Sequence, residues 1–287
     1  MKFLKFAVFC ILAFAVREAV PYPAEWTRSF PPFRIAGNLY YVGSEDLASY
    51  LIATPHGLIL INSNLASSPP LIRKSVEALG FKFTNIRILL ISHAHYDHCA
   101  GSAEILRLTH AKYYVMAPDV SVVQSGGKTD FQYGSDLSMH FAPAHVDRIL
   151  HDGDTVSLGG TVLTAHLTAG HTRGTTTWTF EENESGRLRH VVIVGSPNVN
   201  PGYELAGNKT YPQIASDYKR QFAVLKALPC DIFLGAHGGY FGLEEKYARW
   251  KQGDHDAFID PAGYRAYIAD RQRAFESELQ RQSSRSK

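Results

Sequence analysis

The sequence has little cysteine and no excess of charge of either sign. Only 3 of its 287 residues are cysteine, and 29 basic residues against 27 acidic ones leave a formal net charge of +2. So few cysteines exclude a disulfide framework, and the balanced charge, without a basic arm or stripe, does not indicate a nucleic-acid partner. Since 45% of the residues are hydrophobic, a sizeable core must supply the stability.

The apolar stretch at the N-terminus is short. In "MKFLKFAVFCILAFAVREAV" two lysines precede an apolar segment over 6–16, which is too short to span a bilayer comfortably. This order is typical of a secretion signal, and small residues place its cleavage after Ala15 or Ala19; a buried N-terminal helix is the alternative. We therefore predict a signal peptide over 1–19 and an exported, periplasmic protein with one domain over 20–287 and no membrane contact after cleavage.

Strand and helix signals alternate along the chain without a Ser/Gly-rich linker, so we expect no flexible domain boundary. The run "IRILLIS" at 86–92 is typical of a strand buried on both faces, and a predicted helix, "SAEILRLTH", and a strand, "KYYVMAP", follow it. Such a βαβ unit places functional residues at the carboxyl ends of its strands. Residues 125–147 show weak periodicity, and a loop of that length usually covers a site.

Further elements are predicted on both sides of this unit from periodicity and turn residues. The predicted strands are "NLYYVG", "SYLIATP", "GLILINS", "TVLTAHL", "TTTWTFEE", "RHVVIVG" and "CDIFLGA". The predicted helices run from Ser68-Pro69-Pro70 to Gly80, over 213–228 and over 261–282.

Potential metal ligands are concentrated in "ISHAHYDHCAG", directly after the buried strand at 86–92. His93 and His95 are two residues apart, so at the end of an extended strand their side chains point the same way. Asp97 and His98 follow in the turn that leads to the next helix. Imidazole nitrogen and carboxylate oxygen are ligands that zinc accepts, so this stretch predicts a metal site.

Two further histidines follow predicted strands in the same manner. His171 lies in "LTAGHTRGT" and His237 in "IFLGAHGGYFG", both beside glycines. Six ligands are too many for one tetrahedral zinc but suit two metals with open positions, whose shared water is a nucleophile at neutral pH. The implied reaction is hydrolysis. One sharing that fits this geometry assigns His93, His95 and His171 to one ion and Asp97, His98 and His237 to the other.

The pattern "HxHxDH" at 93–98, with "GHT" at 170–172 and a last histidine at 237, resembles the metallo-β-lactamase superfamily. The resemblance covers nearly all of the chain after the predicted signal. It implies an α/β fold, a four-layer αββα sandwich, with two zinc ions at the edge between two sheets. Thioesterases, lactonases and nucleases share this motif set, so the motifs alone do not define the substrate.

The segment "GSPNVNPGYEL" restricts the resemblance to one part of this superfamily. Many members have a bridging aspartate or a cysteine ligand after the strand "RHVVIVG", whereas this chain has Ser196. Together with His98 after Asp97, this is similar to subclass B3 of the β-lactamases. The resemblance implies hydrolysis of penicillins, cephalosporins and carbapenems by a zinc-bound hydroxide, and hence antibiotic resistance. The alternatives are a thioester or lactone hydrolase of the same fold and a zinc-binding protein without turnover.

The resemblance also implies roles for individual residues. Asp97 would orient the hydroxide, Tyr203 would approach the substrate carbonyl as a catalytic residue, and Ser196 and Asn200 would contact the substrate, a small molecule. We expect a monomer. Relatives often have a disulfide near Cys230, but Tyr264 stands at the expected partner position, so we predict a free Cys230. Cys99, where relatives often have alanine, is predicted to point into the core.

Overall fold

Two β-sheets face each other at the centre of the molecule. They belong to a computed structural model that describes residues 22–184 and 186–285, so the predicted signal peptide and its two cleavage sites lie outside the described residues. The first sheet has seven strands in sequential order, from β1 to β7. They are Phe33–Ala36 (β1), Leu39–Tyr41 (β2), Tyr50–Thr54 (β3), Gly57–Ile61 (β4), Ile86–Leu90 (β5), Lys112–Met116 (β6) and Arg148–Leu150 (β7).

The second sheet has five strands in the order β12, β11, β10, β9, β8. Its strands are Thr155–Leu158 (β8), Thr161–Leu167 (β9), Thr176–Glu184 (β10), Arg187–Val194 (β11) and Ile232–Gly235 (β12). Strands β4 to β7 run parallel to one another, as do β11 and β12, and the other neighbouring pairs are antiparallel.

Helices connect the strands and cover the outer faces of the sheets. Within the described ranges they are Ala24–Thr27 (α1), Pro69–Ala78 (α2), Tyr96–Cys99 (α3), Ser102–Thr109 (α4), Val120–Ser125 (α5), Ile214–Ala227 (α6), Gly238–Phe241 (α7), Leu243–Lys251 (α8) and Pro261–Arg285 (α9). None of these helices is long and apolar enough to cross a membrane.

The alternation of side chains along β4 shows how the layers form. Ile59 and Ile61 lie in the core between the sheets, whereas Leu58 and Leu60 join a second core with α2 and α4 on the outer face. Successive side chains of a strand point to opposite faces, and a strand covered on both faces is apolar throughout. On the second sheet α9 contacts β12, and α6 packs against α9. The result is the predicted four-layer αββα sandwich.

Most of the predicted elements are confirmed. The predicted βαβ unit is β5, α4 and β6, whose strands are parallel. The predicted C-terminal helix is α9, which extends to Arg285. Elements that were not predicted include the short strands β7 and β8 and the polar helix α8, in which only Leu243 and Lys246 are buried. None of them has enough buried apolar residues for a visible period.

Candidate metal centre

The six predicted ligands lie at strand ends on one edge of the sandwich. His93 and His95 follow β5, and α3, which begins at Tyr96, carries Asp97 and His98. His171 follows β9, and His237 lies between β12 and α7. The first four come from one sheet and the last two from the other, so the site exists only where the two sheets meet.

Glycine allows the His171 turn to pack closely on the second sheet. Gly170 has φ +143°, a conformation that L side chains rarely adopt, and a Cβ there would lie 2.8 Å from the Tyr218 ring. Gly174 is equally confined, because its Cβ would lie 2.5 Å from the Asp119 carboxyl carbon. These two positions therefore require glycine for the turn to reach the metal centre.

His93, His95 and His171 form a compact cluster, which we call the first triad. Their ring centroids lie 4.7–4.9 Å apart, and Nδ1 of His95 is 3.1 Å from Nε2 of His171. All three residues are buried, and one ligand atom of each lies within 4.8 Å of the others. Three converging imidazoles match a protein ligand set of catalytic zinc.

Hydrogen bonds assign the ring nitrogens that face the centre. Nδ1 of His171 donates to the carbonyl of Asn198 over 2.8 Å, so Nε2 carries the lone pair. Among the described residues, Nε2 of His93 is buried without a hydrogen-bond partner. A buried polar atom without a partner is costly, and a metal ion would satisfy it. The first triad therefore fits a metal ion.

Burial keeps these imidazoles neutral. Desolvation, together with the neighbouring imidazoles, holds the pKa of His93 and His171 well below the usual value. Desolvation also lowers the pKa of His95 to about 4. Since only a neutral imidazole has a lone pair for a metal, the first triad is ready to bind a metal at neutral pH.

Asp97, His98 and His237 form the second triad. Oδ2 of Asp97 lies 3.2 Å from Nε2 of His98 and 3.6 Å from Nε2 of His237, and the two Nε2 atoms are 3.1 Å apart. Burial alone would raise the pKa of Asp97, but the adjacent imidazoles hold it well below the usual range. One carboxylate and two imidazoles therefore converge on one point, a donor set that also suits zinc.

The two triads are adjacent. The His93 and His98 rings lie 4.2 Å apart, and ligand atoms of His93, Asp97 and His98 also lie within 4.8 Å of one another. Two cations bound at such neighbouring points could both contact the same substrate. The structure thus brings all six predicted ligands together.

Two carboxylates that were not predicted lie beside the ligands. Asp46 accepts a hydrogen bond of 2.7 Å from Nδ1 of His237. A carboxylate bonded in this way orients a metal-binding histidine and raises its basicity. Asp130 places Oδ2 3.8 Å from Nε2 of His95, which is too long for a hydrogen bond.

Asp119 joins the two chain segments of the first triad. Its Oδ2 accepts from the backbone N–H of Ala94 (2.9 Å) and the hydroxyl of Thr172 (2.8 Å), and its Oδ1 accepts from the N–H of Gly174 (2.8 Å). Ala94 lies between His93 and His95, whereas Thr172 follows His171. Burial raises the pKa of Asp119 to about 6, although its hydrogen bonds oppose this. This carboxylate therefore fixes the distance between the two segments.

A cleft of about 340 Å³ opens beside the triads. Its aromatic walls are Trp26, Tyr96, Tyr133 and Tyr240. It also contains side chains of both triads, among them His95, His171, Asp97 and His237. Apolar walls around a few convergent polar groups are typical of a small-molecule site.

The predicted covering loop forms one side of this cleft. Tyr133 and Met139 from the loop line it, and the Tyr133 hydroxyl accepts a hydrogen bond of 3.0 Å from Nδ2 of Asn200. The prediction that residues 125–147 cover a site is confirmed.

The three predicted substrate contacts occupy different positions. Asn200 lines the cleft. Ser196 is fully buried, and its hydroxyl lies 3.1 Å from the hydroxyl of Tyr240, which does line the cleft. Tyr203 is 2% exposed, and its hydroxyl donates to the carbonyl of His171 over 2.8 Å. Tyr203 therefore contacts the backbone of a ligand residue.

Both described cysteines are free. Cys99 is buried in the outer core of the first sheet, as predicted, where burial raises its pKa well above the usual value. Cys230 is unpaired, as predicted, and Tyr264 donates its hydroxyl to the carbonyl of Leu225 over 2.6 Å. Neither thiol is needed to complete a triad.

The residues around the ligands were not predicted, among them Trp26, Asp46, Asp119 and Asp130. Each is a single residue in a turn or short helix, without a spacing that marks it. Asp46 is separated from its partner His237 by 191 positions. The "GGKTDF" stretch in the covering loop was the available signal for Asp130, since a carboxylate in a loop over a predicted metal site is a candidate partner for its histidines.

Comparison with protein families agrees with this geometry. Residues 47–237 match the model of the metallo-β-lactamase superfamily. Among proteins compared by sequence, the chain is 27% identical over 214 residues to a hydroxyacylglutathione hydrolase of Bradyrhizobium sp., covering 74% of this chain and 70% of the relative. The chain spans 65–70% of the length of the first curated relatives that it matches.

Solved structures are considerably more similar. The FEZ-1 metallo-β-lactamase from Legionella gormanii is 56% identical, with a TM-score of 0.90 over 91% of this chain and 99% of that one. LRA-12, described as a class B3 di-zinc metallo-β-lactamase from an Alaskan soil metagenome, is 38% identical, with a TM-score of 0.86 over 92% of this chain and 100% of that one.

Proposed function

Because the chain belongs to the metallo-β-lactamase superfamily and, within it, to subclass B3, we propose that it hydrolyses the amide bond of β-lactams with two zinc ions. The observation that carries this proposal is the pair of adjacent triads at the floor of an aromatic cleft. Penicillins, cephalosporins and carbapenems are the proposed substrates.

The first triad would hold one zinc ion and the second triad the other. When bound, zinc supplies a Lewis acid and lowers the pKa of water to near 7. His93, His95 and His171 are neutral donors in a buried cluster. At the second site Asp97 is an ionised carboxylate, and its negative charge strengthens the attraction for a dication.

Asp97 also has a place in the reaction. It lines the cleft, so its carboxylate would accept a hydrogen bond from the attacking water and orient it. No covalent enzyme intermediate is required, because water itself attacks the carbonyl.

The cleft would orient the substrate. Trp26, Tyr133 and Tyr240 offer apolar surfaces for the bicyclic body of a β-lactam, and Asn200 offers an amide for its polar groups. The geometry supports a positioning role for Tyr203, through the carbonyl of His171, and an indirect role for Ser196, through Tyr240.

We also propose a cellular setting. The signal peptide predicted over 1–19 supports export to the periplasm, where β-lactams act, and resistance to these antibiotics would follow. We propose that the protein is a monomer, and both triads are supplied by a single chain, so no second copy is needed to complete the site.

Hydrolysis of nitrocefin with and without a chelator tests the proposal. We expect the purified protein to open nitrocefin, a penicillin and a carbapenem. The chelator should abolish this activity and added zinc should restore it, whereas inhibitors directed at serine nucleophiles should have no effect. Hydrolysis of S-lactoylglutathione or an acyl-lactone, with nitrocefin left intact, would contradict the proposal and support a different hydrolase of the same fold.

A further inference from the structure

The carboxylate of Asp46 receives three hydrogen bonds. Oδ2 accepts from Nδ1 of His237 at 2.7 Å and from the indole N–H of Trp26 at 3.2 Å. Oδ1 accepts from the backbone N–H of Gly239 at 3.0 Å. One carboxylate thus contacts both a ligand of the second triad and the N-terminal segment of the described chain.

That segment, residues 22–28, is attached to the Asp46 turn. The backbone N–H of Asp46 donates to the carbonyl of Glu25, and the N–H of Glu45 donates to the carbonyl of Arg28, both over 3.1 Å. An ion pair of 3.0 Å links the side chains of Arg28 and Glu45. These bonds fix residues 22–28, including Trp26, against the turn that carries Asp46, and the two segments form one unit.

Ring contacts extend this unit to the other side of the second triad. The Trp26 ring lies 5.9 Å from the His237 ring and 6.3 Å from the Tyr96 ring, and Tyr96 immediately precedes Asp97. Tyr22 stacks on Tyr96 at 5.8 Å. The N-terminal segment therefore packs beside both the carboxylate and an imidazole of the second triad.

We propose that Asp46 is a positioning residue for the second metal and that Trp26 couples the docking of residues 22–28 to the affinity of that metal. A carboxylate bonded to Nδ1 fixes the tautomer and the ring orientation of a metal-binding histidine. Trp26 in turn fixes the rotamer of Asp46, because its N–H donates to the oxygen that binds His237. This inference rests on the proposed two-metal site.

Metal affinity measured by chelator competition tests this inference without using hydrolysis. Zinc is titrated into the metal-free protein and into Asp46→Asn and Trp26→Phe. Asn leaves only one oxygen for three donors, so we expect the second zinc to bind about 10- to 100-fold more weakly. Trp26→Phe keeps an aromatic ring but removes the N–H donor, and we expect about fivefold weaker binding of the second zinc. The first zinc should keep its affinity in both variants.

Matched controls separate positioning from general stability. Asp147 has the same side-chain exposure as Asp46, 23%, and Trp250 packs on Phe33 and Tyr247 in a different part of the core. Asp147→Asn and Trp250→Phe should leave both zinc affinities unchanged. The emission of Trp26 should change as the second zinc binds, and this signal should be lost in Trp26→Phe and kept in Trp250→Phe.

The outcomes are distinct. Unchanged second-site affinity in both Asp46→Asn and Trp26→Phe, or an equal loss at both sites, would overturn the inference. If Asp46→Asn does not fold, the milder Trp26→Phe decides. A wild-type protein that binds fewer than two zinc ions would instead contradict the proposed function, because no second site would exist to be positioned.

Discussion

The two triads differ in the residues that support them. The first is supported by buried residues of the core, and the second by residues near the surface. His93, His95 and His171 are 1–6% exposed, and the buried Asp119 joins the two segments that carry them. In the second triad His98 is fully buried, Asp97 is 8% exposed and His237 is partly exposed. Asp46, the hydrogen-bond partner of His237, also accepts a hydrogen bond from Trp26 in the N-terminal segment. Two neighbouring sites can therefore have separate supporting residues, and we expect the second to lose its metal more readily.

Removing one ligand from either triad should have the largest effect on zinc content and on hydrolysis. We expect His95→Ala and His237→Ala each to retain one zinc per chain, measured by elemental analysis. His95→Ala should lose on the order of 10³-fold in nitrocefin hydrolysis, since the first ion activates the water, while His237→Ala should lose on the order of 10- to 100-fold. Two zinc ions bound to His237→Ala would show that the ligands are shared differently.

Weakening the interior support should affect only the first triad. Asp119→Asn presents an amide to three donors and can satisfy only part of them, so we expect the first zinc to bind roughly tenfold or more weakly. Unfolding of the metal-free protein, followed by circular dichroism, should require about 1–3 kcal/mol less free energy. Asp154→Asn, at a half-exposed turn carboxylate that caps the N–H of His151, is the control. An equal loss of both zinc ions would contradict the separate supports.

Labelling of the cysteines is expected to show the smallest effect. It probes the surroundings of the second triad, because Cys99 follows His98 directly. Burial raises the pKa of Cys230 to about 12 and that of Cys99 well above the usual value. Both thiols should therefore be protonated at pH 8, where only a thiolate reacts quickly. We expect a thiol reagent to modify neither in the folded protein and both after unfolding, when the pKa returns to about 8.5. Rapid labelling of Cys99 on metal removal would contradict this, because it would mean that the buried segment after His98 opens when the second metal leaves.

Much of the fold was predictable because the signals are local and strong. The buried strand at 86–92, the proline-led start of α2 and the helix over 213–228 each combine periodicity with a clear boundary, and the structure confirms them. The strands β7 and β8 were not predicted, since they have three and four residues and pair only because their neighbours are already in place.

The candidate site was also predictable only in part. Its six ligands were predicted from spacing and from their places after strands, and the structure brings them together; their binding of zinc stays a prediction. Asp46, Asp119 and Trp26 were not predicted, since a single carboxylate or indole in a turn is far more often a surface residue than a partner of a ligand.

Ligand chemistry and strand periodicity are local properties, so the sequence alone predicts which side chains can serve as ligands and which strands carry them. Which oxygen accepts a hydrogen bond from a given imidazole, and which carboxylate joins two ligand-bearing segments, depends on the tertiary fold. These contacts join positions such as 46 and 237 or 119 and 174, and they form only when two sheets pack. The free energy of that packing comes from the whole core, so no short motif records which distant residues it brings together.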